Sequence, residues 1–487
     1  MGSRILANLG FLLQITGILT ILPIGIGLYF NEIDYVISLF IVCIAYLGLG
    51  FLCNAMCERK DLDFKSSNTL FLAAFIILPL IGTLPYIYND PFTSANLFDR
   101  FTNGYFESIS GFTTTGFSFL STDLLPKSLL IYRSLTELMG GVGLVFLLLA
   151  FFQSRKAMSG FSNALGVDTL SKNLKQVFFS VLAIYGVYII AFTIIFQSMG
   201  FTDIIKTGTF VIDTLTGGFA PSAQQFQQYL SFGSAAKICM IILMFLGSVN
   251  FAFNYNLFAR KLKKVLSAEI ALYLLIIAVG TVAVALTAQI GAFDSLFHVV
   301  SMSSSTGYDY IGLTSASFNN TAFFIFIMLM LIGGCAFSMA GGIRVSRLIT
   351  FARSIKHSIE DVLIKEKVMS EPEAPEEANN HEYLPALVSI LLFVFTLVIF
   401  ALLFTTMGVS FTDALFEVGS ALSTNGISMG ATTISMPIGY KWLMIVAMTI
   451  GRVELMSILV ALFPYRPKAK APESIAQQVT SSDADST

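Results

Sequence analysis

Apolar residues fall in ten long runs, near 8–29, 34–56, 68–88, 128–152, 176–199, 235–259, 266–290, 319–350, 384–407 and 440–463. Each has about the 20 residues that a helix needs to cross a bilayer. Between several of them lie weaker apolar segments of about 10 residues, too short to cross. Each short segment is followed by a stretch rich in Thr, Ser and Gly: SGFTTTGF at 110–117, TLTGGF at 214–219, SSTGYDY at 304–310 and LSTNGI at 422–427. A short helix followed by polar backbone predicts a re-entrant element that enters and leaves the membrane on one side. The first run lacks a small-residue cleavage site before its acidic exit, NEID, and is read as a retained helix, not a signal peptide.

Composition strengthens that picture. Of 487 residues 55% are hydrophobic and 12% charged, with mean hydropathy +0.78, whereas soluble domains carry about 25% charged residues. The chain is therefore expected to be an integral membrane protein. Net charge, −2, adds little, because its distribution matters more than its sum. Cys43, Cys53, Cys57, Cys239 and Cys335 lie in or beside apolar runs without metal spacing and read as small buried hydrophobes. Three scattered histidines argue against a histidine-rich metal site. An enzyme would call for clustered acids or histidines in the bilayer, but Glu137, Arg452 and Glu454 are dispersed, and no phosphate-binding glycine loop is present.

Basic residues set the orientation. Arg4, Arg59 to Lys65, Arg155 to Lys175, Arg260 to Lys264, Arg344 to Lys367 and Arg466 to Lys470 form six clusters that share one face if the spans number ten. That face would be cytoplasmic and hold both termini, so the four loops enter from outside. The acidic stretch 365–380 reads as a cytoplasmic linker, and the polar tail after Tyr465 as disordered.

The loops are in register on one glycine followed by a bulky apolar residue: Gly116-Phe117, Gly218-Phe219, Gly307-Tyr308 and Gly426-Ile427. Nine positions before each glycine stand Glu107, Thr209, His298 and Glu417. The chain thus reads as four copies of span, half-helix, loop and span after a leading hairpin. The fold class expected is an all-α membrane protein with four such units around one pore. Its parts are a hairpin (1–62), repeats at 63–156, 157–262 and 263–363, a linker (364–382), a fourth repeat (383–464) and a tail (465–487).

Non-helical backbone at membrane depth survives only where it is buried in protein or lines water. Four such loops around an axis would aim carbonyl oxygens inward, where they can replace the water shell of a monovalent cation. Glycine permits the required positive φ, and each half-helix would point its negative C-terminal end at the ion. No ring of acidic side chains is present in the loops, which disfavours a divalent cation. The residues expected to touch the ion are Thr113, Thr114, Thr115 and Gly116; Leu215, Thr216, Gly217 and Gly218; Ser304, Ser305, Thr306 and Gly307; and Ser423, Thr424, Asn425 and Gly426.

YFESISGFTTTGF at 105–117 resembles the first pore loop of the TrkH/KtrB potassium transporters, and STGYDY with the other loops resembles their weaker later versions. The likeness covers nearly the whole chain except the tail, and the leading hairpin favours the TrkH branch. It implies a potassium-selective subunit for uptake at the plasma membrane. The filter glycines would be Gly116, Gly218, Gly307 and Gly426, with Gly116 pointing to potassium over sodium. Asn425 and the double glycine Gly217-Gly218 depart from the pattern, leaving the second loop's register open by one residue. The resemblance also implies homodimers with one pore per chain, lipid contact, and a cytosolic TrkA-type ring of nucleotide-binding domains. It implies no nucleotide on this chain and no nucleic acid partner.

Two further stretches draw attention. IGGCAFSMAGGIRVSRL at 332–348 places four glycines where a helix should be continuous, each costing about 1 kcal/mol relative to alanine. It reads either as close helix packing through small residues or as a break below the filter. In the family the matching segment is an intramembrane gate, whose pliable parts here would be Gly333, Gly334, Ala340, Gly341 and Gly342, with Ser338 free to meet water. TIGRVELMSILVALFP places Arg452 and Glu454 deep in the last span. A charge there faces a cavity or a partner, or snorkels to the interface. In the family the arginine stands beneath the filter as a positive barrier. Arg133 and Glu137 are spaced to pair on one helix. Asn250 and Asn254 suit packing as well as a pore role, and His298 reads as a hydrogen-bonded packing residue. A coupled transporter remains the other function class, because broken helices near the midplane also serve that mechanism.

Overall fold

The computed structural model describes residues 2–57, 62, 64–151, 174–261, 264–312, 320–363 and 377–463. These form helices throughout and no strand. Residues 364–376 of the linker, the tail and several of the basic residues used for orientation lie outside the described residues, whereas 377–382, expected in the linker, already belong to a helix.

The leading hairpin is α1 (Gly2–Leu19), α2 (Ile21–Tyr29) and α3 (Ile33–Met56). Four units follow, each with a short helix between two longer ones. The first contains α4 (Phe64–Gly82), α5 (Leu84–Asn89), the short α6 (Leu97–Phe112) and α7 (Lys127–Phe151). The second contains α8 (Leu174–Ser198), the short α9 (Ile204–Thr216), α10 (Ala223–Ser231), α11 (Ser234–Ser248) and α12 (Phe251–Phe258). The third contains α13 (Ala268–Ala288), the short α14 (Ala292–Ser303), α15 (Asn320–Ile332) and α16 (Val345–Leu363). The fourth contains α17 (Glu377–Thr405), the short α18 (Phe411–Leu422), α19 (Ile438–Val453) and α20 (Leu455–Leu462).

The short helices have 16, 13, 12 and 12 residues, longer than the ten expected yet below the ~20 that crossing needs. Their starts are written locally. Asn96 and Ser410 accept from the N–H groups of Asp99 and Asp413, and Asp203 accepts from those of Ile205 and Lys206. These are N-cap bonds that satisfy otherwise unpaired donors.

Among the described residues six stretches are long and apolar enough to cross a membrane: 4–29, 33–56, 65–89, 180–198, 268–288 and 384–405. Three of the ten expected spans are not continuous. The sixth is interrupted at Val249 and Asn250, between α11 and α12. In the eighth span, helix α15 stops at Ile332, and irregular backbone follows to Arg344. The last breaks at Glu454, whose φ is +68°, and α19 and α20 meet at 91°. A second sharp bend, 115°, separates α10 from α11.

Apolar side chains face outward on α13 (Leu275, Val279, Val282, Leu286) and on α17 (Leu391, Phe395, Leu402), a surface suited to lipid. The short helices lie inside. Each packs against the spans of its own unit and also against a span of the preceding one: α6 on α19, α9 on α7, α14 on α11, α18 on α15. That cyclic order brings the four loops to one centre.

A ring of four loops as the candidate functional site

The loops after the short helices touch in sequence around a closed ring. A β-carbon on Gly116 would lie 2.2 Å from the Gly218 carbonyl oxygen, and one on Gly217 2.5 Å from that of Ser305. On Gly307 it would lie 2.0 Å from the Asn425 oxygen, and on Gly426 1.9 Å from the Thr115 oxygen. Side-chain carbons do not approach oxygens so closely, so the ring closes only with glycine at these positions.

Three loops share one backbone path. Thr114, Ser305 and Thr424 have φ of +54°, +61° and +51°, and Gly116, Gly307 and Gly426 have φ of +85°, +71° and +76°. Their N–H groups turn back onto the short helices. Thr115 and Gly116 donate to the Ser110 carbonyl, Thr306 and Gly307 to that of Ser301, and Asn425 to that of Ser420. In a trans peptide the carbonyl points opposite to the N–H. The oxygens of Thr114, Thr115, Ser305, Thr306 and Thr424 are thereby turned away from their helices. No hydrogen bond among the described residues reaches them. Unpaired oxygens turned away from their helices, together with the burial of fifteen of the sixteen predicted positions and the partial burial of Gly426, form a donor set that fits a desolvated monovalent cation.

The second loop departs from this path. Leu215 and Thr216, expected in the loop, are the last residues of helix α9, and the positive φ falls on Gly217 alone (+71°). Its double glycine is therefore not equivalent to the single glycines elsewhere.

Carboxylates stand behind the loops. Glu107 accepts from the N–H of Phe119 (2.6 Å) and the hydroxyl of Ser118 (2.9 Å). Glu417 accepts from Ser428, Met429 and Thr432 at 2.7, 2.8 and 2.6 Å. His298 bonds the Asp294 carbonyl and the Asp309 side chain, a packing role as expected. Thr209 only donates to Lys206 of its own helix. Arg133 and Glu137 do not pair with each other as their spacing suggested. The guanidinium of Arg133 lies 3.4 Å from Glu107 and over the Phe219 ring, while Glu137 accepts from Phe219 N–H at 2.6 Å and the Thr216 hydroxyl at 3.0 Å. Both are buried. Sequence spacing pointed to the local pair because contacts across units leave no periodic trace. Asn250 caps α12 and donates to Glu269, and Asn254 joins α12 to Tyr188, so both serve packing.

Under the ring lies the irregular segment 333–344. Cys335 and Met339 donate to carbonyls of Ser248 and Gly247, Phe251 donates to Phe337, and Ala336 donates to Glu269. On the ring side, the Thr114 hydroxyl donates to the Met339 carbonyl (3.4 Å) and Gly341 N–H donates to the Ser305 hydroxyl (3.1 Å). A β-carbon on Gly341 would stand 2.5 Å from the Ser423 oxygen. Gly333 (φ +68°) and Gly342 (φ +81°) mark the segment's ends, where Gly333 lies against the Gly341–Gly342 backbone. Gly334 and Ala340 are buried against each other. Ser338, expected to meet water, is instead buried, donating to Cys335 and accepting from Ala340.

Arg452 does not snorkel. It is 1% exposed and donates to the Met339 carbonyl (2.7 Å) and the Gly140 carbonyl (3.1 Å). Glu454 sits at the break, not within a span, and pairs with Arg344 (3.3 Å) and Arg347. Among the described residues the five cysteines are unpaired and no cluster of His, Cys, Asp or Glu is suited to a metal.

Comparison with known proteins places this arrangement. The family profile described as "TrkH: Cation transport protein" matches residues 155–472. An uncharacterized cation transporter of Methanocaldococcus jannaschii is 28% identical, over 94% of each chain. The Trk system potassium uptake protein TrkG of Escherichia coli is 24% identical, over 93% of this chain and 96% of its own. The crystal structure of the potassium transporter TrkH from Vibrio parahaemolyticus superposes with a TM-score of 0.77 at 20% identity, covering 95% of this chain and 99% of that one. At that identity the likeness speaks for the fold.

Proposed function

Because the chain belongs to the TrkH family of cation transport proteins, we propose that it conducts potassium into the cell through the ring of four loops. The observation that carries this reading is the closed contact of Gly116, Gly217, Gly307 and Gly426 with neighbouring carbonyls. It leaves oxygens, and no acidic side chains, to replace the water around a weakly hydrated cation. Four short helices ending at the ring add partial negative charge. Potassium as cargo agrees with the names of relatives such as TrkG and with glycine at position 116.

In this proposal segment 333–344 is the gate. It lies against three of the four loops and is held by Arg452 through the Met339 carbonyl, so an ion can leave inward only after it moves. Its release is assigned to a cytosolic nucleotide-binding ring of the TrkA type, docked on a cytoplasmic face that holds both termini. Homodimers with one pore per chain complete the assembly.

The test is rubidium uptake into proteoliposomes containing the purified chain, under an outward potassium gradient with sodium or potassium as competitor. Uptake that follows the electrical driving force, is blocked by potassium and is spared by sodium supports the reading. The breaks at 333–344 and Glu454 favour one second reading, a symporter coupled to H⁺ or Na⁺, because discontinuous helices form the sites of such transporters. Deleting residues 336–340 separates the two: flux restored in the absence of a partner means a gated pore, and continued silence means a coupled carrier.

A further inference from the structure

We propose that Glu137 is the positioning residue of the second loop: its carboxylate, delivered from α7, turns the Gly218 carbonyl into the ring. This rests on the proposed conduction through that ring.

In the first, third and fourth loops, ring peptides are oriented by N–H bonds to the short helix beneath, at Ser110, Ser301 and Ser420. In the second loop no such bond holds the peptides on either side of Gly218. Helix α9 continues to Thr216, and Gly217 N–H is spent on the Asp213 carbonyl as an ordinary helix end. The next peptide, between Gly218 and Phe219, is held instead by Glu137, whose Oε1 accepts the Phe219 N–H at 2.6 Å. Its other oxygen, Oε2, accepts the Thr216 hydroxyl at 3.0 Å, so both carboxylate oxygens serve the same loop. The trans geometry of the peptide then points the Gly218 oxygen opposite to Glu137. The contact with Gly116 lies in that direction, where the Gly218 oxygen is 2.2 Å from the site of a Gly116 β-carbon.

The double glycine follows from the same contact. A β-carbon on Gly218 would stand 1.9 Å from Glu137 Oε1, so any side chain there evicts the carboxylate. Gly217 supplies the positive φ, and Gly218 supplies the room. Thr209, at the position where Glu107 and Glu417 support their loops, is spent on its own helix. The support therefore comes from the preceding unit. Arg133, one helical turn earlier on α7, covers the Phe219 ring and holds Glu107, so a single helix supports two adjacent loops.

The test compares rubidium and sodium fluxes of the full-length chain in proteoliposomes for wild type, Glu137→Gln, Glu137→Ala, Gly218→Ala and the Glu137→Ala/Gly218→Ala double variant. Glu137→Ala is expected to lower the rubidium-to-sodium ratio by about tenfold while rubidium flux persists, on the scale of leaving one buried N–H unpaired. Glu137→Gln should retain the ratio within about twofold, because its amide oxygen still accepts from Phe219. Gly218→Ala should resemble Glu137→Ala, and the double variant should be no worse than either single one, as expected for two changes that remove one interaction. The proposal is overturned if Glu137→Ala keeps the wild-type ratio, if Glu137→Gln loses as much as Glu137→Ala, or if the two losses multiply. Should Glu137→Ala fail to assemble, a wild-type ratio in Gly218→Ala overturns it alone. Wild-type flux that does not discriminate between the ions overturns the conduction reading, an outcome distinct from these.

Discussion

If ions pass through the ring as proposed, the charge on Arg452 is the most direct lever on flux. Its guanidinium donates to the Met339 carbonyl at 2.7 Å, and the Thr114 hydroxyl donates to the same oxygen at 3.4 Å. The positive charge is therefore within about 6 Å of the inner edge of the ring. A monovalent cation leaving that edge would meet a repulsion of about 3 kcal/mol at an effective dielectric constant near 20. Each 1.4 kcal/mol is a factor of ten, so removing the charge should raise flux by up to about a hundredfold. Arg452→Gln removes the charge and keeps a donor for one carbonyl, whereas Arg452→Lys keeps the charge and loses the fork. Rubidium uptake into proteoliposomes, normalised to protein that elutes as a single species, reads the difference. The expected order is Gln well above Lys, with Lys near wild type. Equal fluxes for Gln and Lys would refute the electrostatic barrier and leave the hydrogen bond to Met339 as the residue's contribution. Flux of the Gln variant at or below wild type would refute the whole argument.

Other outcomes follow from the same geometry. Gly426→Ala places a β-carbon 1.9 Å from the Thr115 oxygen at a φ of +76°, and should abolish ion-selective uptake while the protein still reaches the membrane. Gly341→Ala drives a carbon to 2.5 Å from the Ser423 oxygen; overpacking of about 1–3 kcal/mol should appear as a lower melting temperature in detergent. Glu454→Gln leaves Arg344 and Arg347 without their carboxylate, and because the site is partly open to solvent the cost should stay near 1–2 kcal/mol, below that of a fully buried pair. Rescue is expected when both arginines are also made neutral, and an unchanged melt in the single variant would refute the latch. At the start of α9, burial alone would raise the pKa of Asp203, but the hydrogen bond and charge of Lys127, 2.7 Å away, with the N–H groups of Lys206 and Ile205, hold it below its ordinary value. A depressed carboxylate stabilises the fold above its unfolded pKa, about 3.9, and that contribution is lost as pH falls through the folded value. Asp203→Asn should therefore flatten the acid end of the melting profile, and a variant that tracks wild type there would remove Asp203 from the account.

Much of this molecule is legible along the chain. Run lengths mark the crossing helices, since a bilayer's thickness is a local demand on about 20 residues. Asn96, Asp203 and Ser410 mark the starts of three short helices, and Gly116, Gly307 and Gly426 mark where a loop must take a positive φ. These signals are local because each group finds its partner within a few residues. The tertiary structure decided what the spacing misread. Arg133 and Glu137, one turn apart, go to different loops, the last span breaks at Glu454 to reach Arg344 and Arg347, and the ends of segment 333–344 fold back so that its middle meets the ring. A buried charge or donor is satisfied by whatever packing brings within about 3 Å. In a chain closed into a ring, that partner can stand more than a hundred residues away, where no periodicity reports it.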